Sequence, residues 1–231
     1  MMDQQKTAEL ICEIGRRMYE RNMVAANDGN LSVKIGEDEI LCTPTGISKG
    51  YMTPECICLI NQKGELLRAN EGYKPSSEIK MHLRVYQERP DVKAVVHAHP
   101  VYATTFAIAE QPLEAPILTE AVVSLGRVPV ARYARPSTDE VPDSVAEYVQ
   151  EVDAMLLAHH GALTYGDNLL EAYMRMESVE FYARQLYQTA CIGVRKELTP
   201  AQVEELYEIH RTLGIKGRHP AKNNAVKVTG L

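Results

Sequence analysis

The chain has 231 residues, of which 45% are hydrophobic and 24% charged, and its formal net charge is -6. This length and composition suit one sizeable soluble domain, and the acidic balance without a basic stripe excludes nucleic acid as an expected partner. No apolar stretch approaches the length of a membrane span, so no membrane partner is expected. Five scattered cysteines without a Cys-x-x-Cys pair, and no signal-peptide apolar region, predict a reduced, cytoplasmic protein.

The first part of the chain reads as one helix followed by short strands and turns. The apolar periods predict a helix over 5–22, strands at 31–35, 40–42 and 56–60, and a helix over 75–89. The last of these opens on Pro75-Ser76-Ser77-Glu78, where serine is expected to cap the helix and an acid lies in the first turn.

The second part alternates buried strands with longer helices. We predict strands at 94–99, 128–130 and 154–159, and helices after Pro100 and over 139–151, 168–191 and 200–213. No repeat or linker divides the chain, and the irregular alternation favours one mixed sheet covered by helices on both faces. We therefore expect a single domain at 1–213 and a loosely held basic tail at 214–231.

Two of the predicted strands end in histidine. His97 and His99 lie two apart at the end of one apolar run, so their side chains leave the same face of the strand. A second run ends in His159 and His160, and only one of these can join the pair, because adjacent strand residues face opposite ways. Three neutral imidazoles can hold one metal ion with a free position. Zinc fits this ligand type best, and manganese, cobalt and iron remain open.

One carboxylate and three polar loops accompany these histidines. Glu78 is the nearest candidate acid, although alone it is an ordinary first-turn residue, and His82 follows one helical turn later. The segments 27–32, 43–46 and 75–78 are rich in glycine, hydroxyl and amide groups, which bind anions. Each is an ordinary turn or cap by itself. Together with the histidines, they predict a phosphorylated, oxygen-rich substrate beside a metal.

Five motifs in this chain resemble the class II aldolase/adducin family in order and spacing, over residues 5 to about 213. They are Gly29-Asn30-Leu31-Ser32, Thr43-Pro44-Thr45-Gly46, Pro75-Ser76-Ser77-Glu78, His97-Ala98-His99-Pro100 and His159-His160-Gly161. Within the family, the L-fuculose-1-phosphate aldolases are most similar. The resemblance implies an α/β fold, a three-layer α/β/α sandwich around a mixed, largely antiparallel sheet. It also implies a homotetramer with active sites between subunits.

The resemblance also assigns roles to particular residues. It implies that His97, His99 and His159 are zinc ligands, and that Glu78 is the catalytic acid/base and can also touch the metal. The implied phosphate pocket consists of Asn30, Thr45, Gly46, Ser76 and Ser77, with Asn27 at its edge.

The activity implied is zinc-dependent, reversible cleavage of a ketose 1-phosphate, L-fuculose 1-phosphate or a related deoxy-ketose phosphate, to dihydroxyacetone phosphate and an aldehyde. The segments 116–120 and 135–138 lack the aromatic residues that the fuculose enzymes carry on the aldehyde side, so the aldehyde stays open, with Glu120 a candidate substitute acid.

Two other kinds of protein share this fold. A ribulose-phosphate 4-epimerase or a methylthioribulose-phosphate dehydratase is the enzymatic alternative. Epimerases of the family usually carry aspartate where this chain has Glu78, which favours an aldolase. A non-enzymatic, adducin-like protein is disfavoured by the complete set of histidines.

Overall fold

The structure, a computed structural model, describes residues 3–223. These residues fold around one mixed sheet of eight strands. The strands are β1 (Asn30–Lys34), β2 (Ile40–Cys42), β3 (Cys58–Ile60), β4 (Leu66–Arg68), β5 (Ala94–Ala98), β6 (Val130–Ala131), β7 (Ala154–Leu157) and β8 (Gly161–Gly166). They lie in the order β4-β3-β2-β1-β5-β8-β7-β6. Neighbouring strands are antiparallel except β6 and β7, which are parallel. The expected mixed, largely antiparallel sheet is confirmed.

Helices cover both faces of the sheet. They are α1 (Gln4–Glu20), α2 (Ile79–Glu88), α3 (Val101–Ile108), α4 (Thr119–Ser124), α5 (Glu140–Ala146), α6 (Leu169–Ile192), α7 (Pro200–Leu213) and α8 (Pro220–Asn223). Helices α1, α3 and α6 pack into one hydrophobic core, and α2 and α5 pack into a second. This arrangement is the expected three-layer sandwich. None of the helices in residues 3–223 combines the length and apolar character that crossing a membrane requires.

Strand alternation decides which layer each residue of the central strands faces. In β5, Val96 belongs to the core under α1, α3 and α6, and Val95 belongs to the core under α2 and α5. His97 shares the face of Val95 because side chains two apart on a strand lie on the same side. In β1, Asn30 and Ser32 face the α2 layer by the same rule, and Asn30 pairs directly with His97.

The β7–β8 hairpin departs from the expected strand at 154–159. Strand β7 ends at Leu157, which pairs with Gly161, and the three residues between them form the turn. His159 has a left-handed φ of 56°. Strand β8 was not predicted, because glycine at both of its ends reads as turn signals. Gly161 is required there, since a Cβ would collide with the Ala98 carbonyl oxygen and the His99 ring.

Helix α2 begins at Ile79, four residues after the predicted start at Pro75. The Ser76 N–H donates to the Thr43 carbonyl at 3.1 Å, and the Thr45 N–H donates to the Lys74 carbonyl at 2.9 Å. This pairing keeps the segment before Glu78 extended, and no side-chain bond caps the helix. Two polar loops that are far apart in sequence therefore lie side by side.

Part of the predicted tail is packed against the domain. His219 and Ala221 are buried, His219 Nε2 donates to the Val122 carbonyl at 2.8 Å, and the His219 ring stacks on His210 with centroids 3.8 Å apart. The described part of the tail is therefore not loosely held, because it supplies buried groups to α4 and α7. Residues 224–231 lie outside the described residues, and the domain boundary at 213 stays a prediction.

The buried C-terminal histidine predicts acid-sensitive stability. Burial lowers the pKa of His219 to about 4, so the folded chain binds fewer protons than the unfolded chain below pH 6.5. Its contribution is present above pH 6.5 and is lost as the pH falls toward 4. We expect a loss of up to about 2 kcal/mol by pH 5 from this residue.

Urea denaturation between pH 7.5 and 5 measures this dependence. In His219→Gln the decline in the free energy of unfolding should be shallower than in the wild type, because glutamine does not titrate. Equal slopes in the two proteins would contradict the assignment.

Candidate active site

Three imidazoles meet where β5 ends and the β7–β8 turn closes. One ring nitrogen each from His97, His99 and His160 lies within 4.8 Å of the others, and the ring centroids are 4.7 to 5.0 Å apart. His97 is buried, whereas the His99 and His160 side chains are 23% and 16% exposed. The cluster is therefore buried on the side of His97, within β5, and exposed to solvent on the side of His99 and His160.

His159 does not join this cluster. Its side chain is 49% exposed, and its Nε2 lies 3.2 Å from Glu110 Oε1. Strand alternation ends at Leu157, and the left-handed backbone of His159 turns the next side chain, His160, toward His97. The structure thus corrects the expected set, and His160, the alternative that the sequence left open, stands where His159 was expected.

The donor atoms of the cluster fit a divalent metal ion. His97 Nδ1 lies 2.9 Å from the Ala162 carbonyl, which can only accept, so Nδ1 carries the proton and Nε2 presents a lone pair. His99 Nε2 lies 3.1 Å from that atom. Burial lowers the pKa of both imidazoles, that of His97 far below its usual range. Neutral imidazoles with converging nitrogens are the ligands that such metals require.

Glu78 brings a carboxylate to the same point. It stands at the N-terminal end of α2, with Oε1 3.1 Å from His160 Nε2 and Oε2 3.4 Å from His97 Nε2. The Asn30 amide donates to Oε2 at 2.8 Å. Burial would raise the pKa of Glu78, but the hydrogen bonds from His160 and from the Asn30 amide outweigh it and lower that pKa. The carboxylate is therefore ionised at neutral pH.

The cluster opens into a cavity of about 190 Å³ lined by small polar residues. The lining residues are Asn27, Asp28, Gly29, Asn30, Pro44, Thr45, Gly46, Ser76, Ser77, Glu78, His99, Ser137 and His160. All six residues expected to form a phosphate pocket are among them. Asp28 and Ser137 were not singled out in the sequence. Asp28 Oδ2 lies 3.4 Å from His99 Nδ1, and its position just before Gly29 is the one signal that pointed to it.

A buried lysine donates hydrogen bonds to the backbone of two loops beside the cavity. Lys49 is 1% exposed, and its Nζ donates to the Asn27 carbonyl at 2.9 Å and to the Ile47 carbonyl at 2.6 Å. Burial lowers the pKa of Lys49 to about 8, while Asp28 and Glu78 act in the opposite direction. Nothing in the local sequence around Lys49 distinguishes it from a surface lysine, so sequence reasoning missed it.

Three converging imidazoles lie beside a carboxylate and open into a cavity of anion-type donors. These are features of a metal-dependent enzyme. The chain belongs to the class II aldolase/adducin family, since residues 9–187 match the Class II Aldolase and Adducin N-terminal domain.

Curated relatives of two activities are similar to this chain. An L-fuculose phosphate aldolase from Methanococcus maripaludis is 33% identical over 175 residues, which are 76% of this chain and 93% of the relative. A 3-oxo-tetronate 4-phosphate decarboxylase from Haemophilus influenzae is 33% identical over 202 residues, 86% of this chain and 94% of the relative. Both activities break a carbon–carbon bond, and the chain is a metal-dependent lyase.

Solved structures are similar in fold over nearly the whole chain. An L-fuculose 1-phosphate aldolase aligns with a TM-score of 0.83 at 31% identity, covering 91% of this chain and 98% of the other. A putative aldolase/epimerase/decarboxylase from Klebsiella pneumoniae aligns with a TM-score of 0.82 at 30% identity, covering 89% and 100%.

Adjacent histidines provide a matched test of the metal centre. We expect His160→Ala to weaken zinc binding by roughly 100-fold or more, because it removes one of three nitrogen donors. His159→Ala should bind zinc as the wild type does, since its ring faces Glu110. Isothermal titration with zinc measures both. Equal affinities in the two variants, or the reverse order, would contradict this assignment.

Lys49 predicts a second, separable effect on the anion cavity. We expect Lys49→Met to weaken binding of inorganic phosphate by roughly tenfold, because two buried carbonyls lose their donor and the loops lose a nearby positive charge. Lys63→Met, in the exposed turn after β3, is the control. Phosphate titration of the zinc-loaded proteins measures the change, and wild-type affinity in Lys49→Met would count against a role for this lysine.

Proposed function

We propose that the protein is a zinc-dependent aldolase that cleaves a ketose 1-phosphate reversibly to dihydroxyacetone phosphate and an aldehyde. The observation that carries the proposal is the opening of the cluster of His97, His99, His160 and Glu78 into a cavity lined with phosphate-type donors. L-fuculose 1-phosphate or a related deoxy-ketose phosphate is the substrate class that this arrangement supports.

The cavity loops bind and orient the substrate phosphate in this proposal. The hydroxyls of Thr45, Ser76 and Ser77 can donate hydrogen bonds to phosphate oxygens. Gly46, with a left-handed φ of 77° and nothing within 4 Å of where a Cβ would stand, lets its backbone approach the ligand closely. Lys49 supplies positive charge behind these loops. Fixing the phosphate sets the position of the reacting carbons relative to the histidines.

The metal supplies Lewis-acid polarisation of the substrate carbonyl when it is bound by His97, His99 and His160. Glu78 transfers the proton of the substrate carbon next to the carbonyl, at which the carbon–carbon bond breaks or forms. That carbon gains a proton when the carbon–carbon bond breaks and loses one in the condensing direction. The ionised Glu78 carboxylate, beside the cluster and 15% exposed, is placed to accept this proton in condensation and to return it in cleavage.

The decarboxylase relatives support a second candidate, removal of carbon dioxide from a 3-oxo acid 4-phosphate. Like aldol cleavage, that reaction leaves the electrons of a broken carbon–carbon bond next to a carbonyl, so the same cluster serves both. Cleavage to an aldehyde additionally needs a group that takes the hydroxyl proton. Glu120 does not serve this purpose within one chain, because it lines a different cavity with Arg21 and Phe181.

A substrate panel distinguishes the candidates. The zinc-loaded protein is assayed with ketose 1-phosphates for dihydroxyacetone phosphate and with 3-oxo acid 4-phosphates for carbon dioxide. Release of dihydroxyacetone phosphate supports the aldolase. Carbon dioxide release with no cleavage of ketose 1-phosphates would replace it by the decarboxylase. Epimerised pentulose phosphate without cleavage, loss of water from methylthioribulose phosphate, or no turnover at all would overturn the lyase proposal.

Glu78→Gln tests the proton-transfer role. We expect the variant to keep zinc while kcat falls by about 100-fold or more, because glutamine has the shape of glutamate but cannot accept a proton. Glu110→Gln, at the exposed contact with His159, is the control and should keep wild-type activity. Metal analysis with steady-state kinetics measures both properties, and full activity in Glu78→Gln would remove this residue from the mechanism.

We also propose the homotetramer, with active sites between subunits, that the resemblance implies. Exposed apolar side chains on α6 support association, since Leu170, Met174 and Phe181 are each about half exposed. The cytoplasmic location stays a prediction that rests on the scattered cysteines, all of which are free in the structure.

A further inference from the structure

A chain of hydrogen bonds runs from the proposed catalytic carboxylate into the core beneath α2. Glu78 Oε2 accepts from Asn30 Nδ2 at 2.8 Å, and Asn30 Oδ1 lies 2.6 Å from His82 Nε2. His82 Nδ1 lies 2.8 Å from Ser32 Oγ, which lies 2.8 Å from the Tyr86 hydroxyl. We propose that His82, Ser32 and Tyr86 are positioning residues that fix the orientation of the Asn30 amide and, through it, the Glu78 carboxylate.

The donors and acceptors of this chain can be ordered in one direction only. An ionised carboxylate only accepts, so the amide nitrogen of Asn30 faces Glu78 and its oxygen faces His82. His82 therefore carries its proton on Nε2, which leaves Nδ1 to accept the Ser32 hydroxyl proton. With its own proton committed to His82, Ser32 accepts from the Tyr86 hydroxyl. Each bond thus fixes the direction of the next.

Burial makes this order costly to disturb. His82 and Ser32 are fully buried, Asn30 is 3% exposed and Tyr86 is 4% exposed. A reversed link would leave a donor or an acceptor without a partner away from water. Burial also lowers the pKa of His82 to about 4, so the ring stays neutral and keeps a single proton at physiological pH.

The hydrogen-bond chain ends at the Glu78 carboxylate, which contacts His97 and His160. Helix α2 carries Glu78 and His82 one turn apart, while β1 carries Asn30 directly opposite His97. If the Asn30 amide rotated, its oxygen would face the carboxylate and repel it away from His97 and His160. Both ends of the Asn30 amide are bonded to Glu78 and His82, and not to the phosphate position expected for Asn30. The effect expected is therefore on proton transfer by Glu78, while phosphate binding rests on the hydroxyls of the other two loops.

This inference rests on the proposed function, and paired substitutions at one position test it. His82→Leu removes both ring bonds at similar volume, whereas His82→Gln keeps an N–H donor near the position of Nε2. On the best substrate of the panel, we expect His82→Leu to lower kcat by roughly tenfold or more, with KM and zinc affinity within about threefold of wild type. His82→Gln should recover kcat to within about threefold. Wild-type kcat in His82→Leu, or equal losses in both variants, would overturn the inference.

A spectroscopic measurement separates this inference from the proposed function. In nitrogen-15 spectra of histidine-labelled, zinc-loaded protein, His82 should show a single neutral tautomer with the proton on Nε2. Because Asn30 fixes this tautomer and Ser32 donates only to Nδ1, Ser32→Ala should keep the tautomer and shift the His82 Nδ1 resonance. Ser144→Ala, which removes another buried serine hydroxyl that donates to the Val141 carbonyl, should leave it unchanged.

This measurement tests the ordered hydrogen bonds even where no substrate of the panel reacts. A wild-type proton on Nδ1, or an Nδ1 resonance that Ser32→Ala leaves unchanged, would overturn the ordered chain whatever the enzyme's activity. If no panel substrate reacts while the Nε2 tautomer and the Nδ1 shift in Ser32→Ala are both observed, the proposed function fails and the ordered hydrogen bonds stand.

Discussion

The antiparallel register of β1 with β5 is the constraint on which the site depends. Asn30 pairs with His97 and Ser32 pairs with Val95, so the polar residues of β1 and the histidine of β5 lie on one face beneath α2. A slip of one residue would turn Asn30 and His97 to opposite faces of the sheet. The cores on the two faces hold this register, because Leu31 and Val96 fill one core and Val95 fills the other.

The charges and ring nitrogens of the site favour the binding of a divalent cation. Glu78 is ionised in partial burial, and the neutral ring of His97 has its only proton bonded to the Ala162 carbonyl. His97 Nε2 and His99 Nε2 lie 3.1 Å apart, close enough for one divalent ion to bind both nitrogens. Such an ion would favour the ionised form of the carboxylate beside it. Metal binding and the ionisation of Glu78 would therefore affect each other.

The similarity to both aldolases and decarboxylases has a chemical basis in this arrangement. In the proposed function, the loops and the histidine cluster bind the phosphate and carbonyl part of the substrate, which the two reactions share. The difference lies with the departing group, an aldehyde in one case and carbon dioxide in the other. Among the residues that line the cavity, Asp28 and Ser137 are the two that were not anticipated.

The layered α/β fold, most of the helices and strands, and the His97 and His99 pair follow from the sequence, because apolar period and strand alternation act over a few residues. The proposed roles of Glu78 and of the six phosphate residues came from the resemblance of five motifs to the family, and all six residues line the cavity. Tertiary structure set three further features. It chose His160 over His159, since a left-handed turn residue ends the alternation on which that prediction rested. It turned Lys49 inward, where two carbonyls from separate loops meet. It also joined His82 to Asn30, a bond across 52 residues that depends on the β1 register and on the docking of α2 over the sheet.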